Sequence, residues 1–532
     1  MAKGYRPVDR DQQFLLPPDM RQWLPASHPV WLVIEAAAWL DTAVFHARRR
    51  TGGAGAAGYD PDMMVTLLIW AYANGVTSSR RIERLCQQDV AFRVICAGHV
   101  PDHVTVARFR QQFADTAAGL FAQVLVLCAR LGMGQVGTVA LDGTKITADA
   151  SKDANRTEEG LRKLAAEMAA THAETDAEED ALFGAGKRGD DPGDPFTRSG
   201  RVAAALASLE AERAQREAAE REAAEAALAA ARAGAPARGN PPAAAEVELA
   251  ELKVARETAA YQGKVREREE AAAAGRRRGG RPPVPAQDYV RVRQAREKLE
   301  RARARAAARE QEKAEKDSNK EPARRNVTDP SSRLMPVRGG GFTQGYNAQN
   351  VTSEDDLVIA TRLTDTPSDV QWYEPMITQA QAAAAAMAAA GGPGDGTIGL
   401  ALADAGYLSE HNLTCPGPDR LIATGTRRGL EKAARTAEAA GTGQTPQEQL
   451  PPIAAMTARL ATEDGIAAYR RRSHIGETFH GDLKHNQHIR RLSVRGMRRA
   501  SGEWTFITAV RNLRKAITSG HLTTEALAAL TG

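Results

Sequence analysis

Between residues 150 and 325 the chain becomes a run of Ala, Glu and Arg with almost no aromatic side chains. Such a segment has little from which to build a core of its own, so a globular fold must come from the residues on either side. Pro and Gly breaks at 184–200, 233–242 and 275–285 divide it into helical pieces near 157–182, 199–233, 244–274 and 286–317. Val292, Ala295, Leu299, Ala302 and Ala306 recur at three- and four-residue steps, the spacing of a small-residue coiled-coil seam. The block reads as a helical hairpin or stalk inserted into a folded domain. A charged, partly disordered low-complexity segment has the same composition.

Residues 1–133 are patterned as helices. Trp31 to Leu40 carries apolar residues at helical spacing, and Asp60-Pro61 opens an apolar helix, with Asp60 as its cap. Shorter helices are predicted over 77–97 and 102–114. The second ends in a polar, basic stretch that includes Arg108 and Arg110. That order suits a helix-turn-helix reader of DNA; a plain helical bundle fits as well.

At 136–148 the period changes. Val136 to Asp142 is a short apolar run bounded by Gly, the mark of a buried strand. After the inserted block, strands are predicted at 341–352, 357–364, 397–404 and 421–424, with a helix from a Ser368-Asp369 cap toward Met387. The division is therefore 1–133, all-α; 134–154 and 326–427, α/β; 155–325, inserted helices; 428–465, a polar spacer; and 466–532, helical and basic.

The 71 Lys and Arg against 66 Asp and Glu leave a net charge of only +5, but unevenly spread. Residues 276–309 and 469–515 each carry twelve bases against three acids, while 158–180 carry eight acids against two bases. Basic blocks of that density point to a polyanion, most often nucleic acid. Four scattered cysteines make neither a disulfide scaffold nor a zinc cluster, which suits a reducing cytoplasm. No apolar run long enough for a membrane span and no secretory leader is read, so no membrane partner is expected.

Two apolar strands end in aspartate followed closely by glycine: Leu141-Asp142-Gly143 and Ala403-Asp404-Ala405-Gly406. Side chains at strand ends are where α/β sheets gather function, and two carboxylates there can share a divalent cation. Glu477, an acid on an otherwise cationic helix, is the candidate third ligand; an ion pair with Arg472 or Lys484 is the plain alternative.

Asp142-Gly143-Thr144-Lys145, Asp404-Ala405-Gly406-Tyr407 and Tyr469-x2-Arg472-x4-Glu477-x6-Lys484 resemble the signature blocks of bacterial insertion-sequence transposases of the DDE class. The resemblance extends to Pro101 through Arg110, to Gly345-Tyr346-Asn347-Ala348-Gln349 and to Asn512-Leu513, and covers most of the chain outside 155–325 and 428–462. The family's last block usually has one residue fewer between Arg and Glu. The resemblance implies an RNase H-like core: a mixed five-stranded sheet with helices, interrupted by the helical insertion and preceded by the helix-turn-helix-like domain. It implies that Asp142, Asp404 and Glu477 hold two Mg2+ ions, for which Mn2+ can substitute. One ion would activate a water and then a DNA 3′-hydroxyl, and the other would stabilise the leaving oxygen. Tyr469, Arg472, Lys484, Lys145, Arg108 and Arg110 would contact DNA; a solvent-exposed Lys145 is equally consistent.

The implied activity is binding of terminal inverted repeats, strand cleavage and transfer to target DNA, by a homodimer associated with the nucleoid. A binding-only relative and a nuclease without strand transfer are the rivals. Gly339-Gly340-Gly341 lacks a phosphate-loop pattern, so no nucleotide cofactor is expected. His474, His480, His485 and His488 lack zinc spacing and read as phosphate-facing. The cationic stretch at 275–281 reads as a phosphate-contacting arm or a solvated loop tip.

Overall fold

The computed structural model describes residues 19–48, 58–168, 197–233, 242–274, 282–319, 323–337, 339–425 and 451–531. The cationic stretch at 275–281, the predicted helix beyond 168 and most of the polar spacer lie outside them. The chain forms two compact units, Met1–Asn155 with Asn326–Gly532, and Arg156–Arg325.

The first unit opens with helices α1 (Pro29–Trp39), α2 (Pro61–Ala73), α3 (Ser79–Gln88), α4 (Val90–Ile95), α5 (His103–Gln111) and α6 (Phe113–Arg130). Aspartates start several of them. Asp60 accepts from the Asp62 and Met63 amides, and Asp102 from Val104 and Thr105, filling donors that a helix start leaves unpaired. The helix predicted over 77–97 is broken at Asp89, which ends α3 and caps α4. By length and composition α6 could cross a membrane, unlike anything noted from the sequence, because its only charges are Asp115 and Arg130. Here it is a core helix.

The Arg156–Arg325 unit holds α7 (Arg198–Arg232), α8 (Glu246–Ala273) and α9 (Val290–Asn319). Helices α8 and α9 pack together, with Val292, Ala295 and Ala302 buried. Tyr261 stacks on Tyr289 at 4.2 Å between centroids. The buried Glu246 accepts from Arg305 and Arg309.

The first unit resumes with a sheet of six strands, one more than the sequence reading counts: β1 (Thr138–Thr147), β2 (Arg333–Pro336), β3 (Phe342–Ser353), β4 (Val358–Thr364), β5 (Leu400–Ala403) and β6 (Asp419–Ile422). The extra strand is β2, whose few residues carry too little pattern to be read. The order is β2-β3-β1-β5-β6, with β4 also on β3. Strand β1 is antiparallel to β3 and parallel to β5, and β5 is parallel to β6. Helix α10 (Tyr373–Ala389) packs on β4 and α6. At the carboxyl end come α11 (Pro452–Leu460), α12 (Glu463–Gly481), α13 (Met497–Thr518) and α14 (Thr524–Thr531). Residues 452–460, read as spacer, are thus helical.

Helix α13 joins the two parts of this unit. It packs on α6, α2 and β4; Phe506 stacks on Phe113 at 4.1 Å, and Trp504 donates to Thr361 at 2.8 Å. The N-terminal helices and the sheet accordingly share one hydrophobic core.

Candidate active site

Strand pairing brings the two aspartates together. Parallel register sets Leu141 opposite Ala403, so Asp142 and Asp404, one residue on, stand side by side where β5 ends; β1 itself runs on to Thr147 through its pairing with β3, so the strand end read at Asp142 from the sequence is overturned. Neighbouring strands lie about 4.8 Å apart. Side chains alternate between the faces of a sheet. Ala140 and Leu402 pack with Ile475, Met456 and Leu460, whereas Val139, Leu141, Ala401 and Ala403 join the main core on the other face. Asp142 continues the face of Ala140, which α12 covers. Gly476 brings that helix close: a Cβ there would stand 3.4 Å from the Ala140 Cβ and 3.5 Å from the Asp142 Cβ. The adjacent Glu477 is delivered to the same edge.

Arg472 links two of the acids. Its Nη2 donates to Glu477 Oε1 at 3.0 Å, and its Nη1 lies 3.6 Å from Asp142 Oδ1. The additional residue between Arg472 and Glu477 does not keep the guanidinium from the site. Burial, with Asp404 and Glu477 adding to it against Arg472, pushes the Asp142 carboxyl up to about 7. Burial also raises Asp404, opposed by the Gly406 N–H, which donates to its Oδ1 at 2.9 Å. Glu477 is half exposed. In this structure the three carboxylates do not close to within 4.8 Å of one another as a trio. Among the described residues only His46, Asp60 and Asp62 do so. That group is exposed, and its acids already serve as a helix cap and as acceptors for Thr42 and His46. The donor chemistry of Asp142, Asp404 and Glu477, all carboxylates, still suits a hard divalent cation.

Tyr469 donates to the Ala403 carbonyl at 3.3 Å, beside Asp404. Lys484 lies on the same face, donating to Thr144 Oγ1 and, at 3.2 Å, to the Lys145 carbonyl. Lys145 projects from the other face, where its Nζ donates to the Pro367 carbonyl at 2.9 Å and lies 3.5 Å from Asp369.

Arg108 is exposed on α5, but Arg110 is not a free cation. It is buried, 3.8 Å from Glu503, and donates to Tyr72 Oη at 3.0 Å, to Ser493 Oγ at 2.8 Å, and to the Thr77 carbonyl and Ser79 Oγ. Its guanidinium is committed to internal acceptors, so the DNA contact read for it from sequence is replaced by a structural role.

Two residues of this region were not singled out as site residues. Asp369, read as a helix cap, makes no cap hydrogen bond. Its Oδ1 instead accepts from Asn347 and Gln349, each at 2.6 Å. Tyr407 donates to Gln349 Oε1, which extends the network to the turn after Asp404. The glycines were the available signal: a Cβ on Gly143 would meet Gln349 Nε2 at 2.8 Å and Asp369 Oδ1 at 2.9 Å, and one on Gly406 would meet Asp404 Oδ1 at 2.9 Å and Asp369 Oδ2 at 3.3 Å. His480, read as phosphate-facing, turns inward, its Nε2 3.6 Å from Asp142 Oδ2. Burial, with Lys484 and Arg511 nearby, pushes it down to about 3, so the imidazole is neutral at pH 7 and this approach is not an ion pair.

Two family models match the chain. A transposase domain (DUF772) matches residues 18–112, and a transposase DDE domain matches residues 436–517, a span that includes Tyr469, Arg472, Glu477 and Lys484. No curated protein and no solved structure matches the chain. Asp142 and Asp404 lie outside both matched spans and rest on the sheet geometry. A transposase-domain match at one end and a DDE-domain match at the other support an insertion-sequence DDE transposase, a class of enzyme that cleaves and transfers DNA strands with divalent metal ions.

Proposed function

We propose that Asp142, Asp404 and Glu477 are the acids of this transposase, and that the sheet carrying them is its RNase H-like core. The observation that carries this is the β1/β5 register, which sets Asp142, midway along β1, beside Asp404, just past the end of β5, where α12 approaches with Glu477. The strand order, with β1 central, β3 and β4 antiparallel on one side and β5 and β6 parallel on the other, supports it. The three carboxylates would hold a pair of divalent ions, Mg2+ or Mn2+. Such ions, when bound, activate the attacking oxygen and neutralise charge on the phosphate.

The chain's own groups do the rest. Lys484 and Tyr469 flank the acids and are set to orient a DNA phosphate. Arg472, between Asp142 and Glu477, balances their charge and can turn to the strand. Arg80, Arg81 and Arg84 on α3 and Arg108 on α5 are exposed and would bind the backbone of the terminal repeats. Residues 1–133 would read those repeats, and the inserted helices would bind DNA or a second subunit. Two ends must be joined, so the working form would be a homodimer on nucleoid DNA in the cytoplasm.

Asp142→Ala and Glu477→Ala should each abolish cleavage of a repeat-end duplex while leaving gel-shift binding intact. Full strand transfer by either variant would sink the site assignment.

A further inference from the structure

The inward-facing histidine on α12 is not explained by the fold. Both ring nitrogens of His480 are buried, and neither makes a hydrogen bond. Around it stand the Asp142 carboxylate, its Oδ2 3.6 Å away, the Asp142 backbone and the Lys484 and Arg511 cations, and neither ring nitrogen is hydrogen-bonded to any of them. A buried imidazole left unpaired is costly, and its ring otherwise only packs edge-on against Phe479, 5.0 Å between centroids. A phenylalanine would fill the same place without that cost.

The Nε2–Oδ2 separation is too long for a hydrogen bond. It is close to the spacing of two donors on one cation, which with bonds of about 2.1 Å stand roughly 3 to 3.5 Å apart. His480 lies one helical turn after Glu477, so both reach the edge from the same helix.

We propose that His480 supplies a nitrogen ligand to the cation held by Asp142, giving this site a mixed oxygen and nitrogen donor set. The inference rests on the reading of Asp142 as a metal ligand. Binding through Nε2 requires the ring proton on Nδ1, and the imidazole enters as a lone-pair donor with no change of its charge. Mg2+ gains little from nitrogen, whereas a transition ion gains more. The donor set should therefore favour Mn2+ over Mg2+ more than carboxylates alone would.

The test uses the full chain loaded with Mn2+, read by pulsed electron paramagnetic resonance. The wild-type protein should show nitrogen hyperfine modulation, and His480→Phe should lose it while still binding Mn2+. The Kd for Mn2+ should rise about tenfold or more, and Mg2+ binding should change less. His480→Phe should melt no lower than wild type, because no hydrogen bond is removed. Bound Mn2+ without nitrogen modulation in the wild type, or modulation that survives His480→Phe, overturns the proposal while leaving the acid assignment intact. Mn2+ binding indifferent to Asp142→Ala overturns both.

Discussion

Replacing Arg110 separates a structural cation from a DNA-binding one. Its guanidinium and the Glu503 carboxylate are 5% and 1% exposed, and both sit among other polar groups. Glu503 accepts from Tyr72 Oη at 2.6 Å, from the Ser493 amide at 2.7 Å and from Ser493 Oγ. Arg110→Met keeps the stem volume but strips Glu503 of its counter-charge and leaves the Thr77 and Ser79 oxygens unsatisfied. Breaking a buried pair from one side costs about 3–5 kcal/mol. The Tyr72 and Ser493 donors remain, so the lower end, about 3 kcal/mol, is the expected loss. Glu503→Leu should cost at least as much, since Arg110 would then be a buried cation facing only neutral acceptors. The double variant should recover most of the loss, because neither charge remains to be desolvated. Urea unfolding followed by tryptophan fluorescence reads this directly, Trp504 lying in the same helix as Glu503. Repeat-end binding by folded Arg110→Met should be unchanged. An unfolding loss below about 1 kcal/mol together with weakened DNA binding would refute the structural role and return Arg110 to the DNA contacts.

The pH dependence of metal binding should report Asp142. With its carboxyl pushed up to about 7, protons compete with the cation below that pH. Mn2+ affinity should fall as pH drops from 7 toward 5 and level off above about 8, and isothermal titration across that range would contradict this if the affinity were flat. The same shift bears on the metal-free fold. A folded value above the unfolded one contributes stability that is full below about 4 and lost as pH rises through 7, so this group makes the metal-free chain less stable at pH 8 than at pH 5. Asp369→Ala should lower cleavage by about ten- to a hundredfold by releasing Gln349, Asn347 and Lys145, while Mn2+ still binds. Asp369→Asn, which keeps an acceptor oxygen, should recover part of the loss; equal rates for the two variants would count against a positioning role.

Much of the architecture can be read locally. A strand ending in aspartate, a helix opened by Asp60-Pro61 and a small-residue seam at Val292, Ala295 and Ala302 are statements about neighbours along the chain, which period and composition express. That Asp142 and Asp404 each close an apolar run is legible for the same reason, but that β1 continues past Asp142 to Thr147 is not, because its pairing with β3 extends it. Which cations are spent internally is not: Arg108 and Arg110 are two residues apart on one basic stretch, and only packing exposes the first and buries the second against Glu503. Asp369 looks like a cap until the fold draws it toward Gln349 and Gly143. His480 looks like one more polar residue of a basic helix until α12 lies on β1.

The sequence alone therefore determined that most of these strands and helices exist and which acids close the apolar runs, because those follow from short-range periodicity and capping, while the break at Asp89, strand β2 and helix α11 were not legible in it. Tertiary structure decided which side chains meet. Contacts such as Arg110 with Glu503, or His480 with Asp142, join positions hundreds of residues apart. They exist because sheet register and helix packing bury them together.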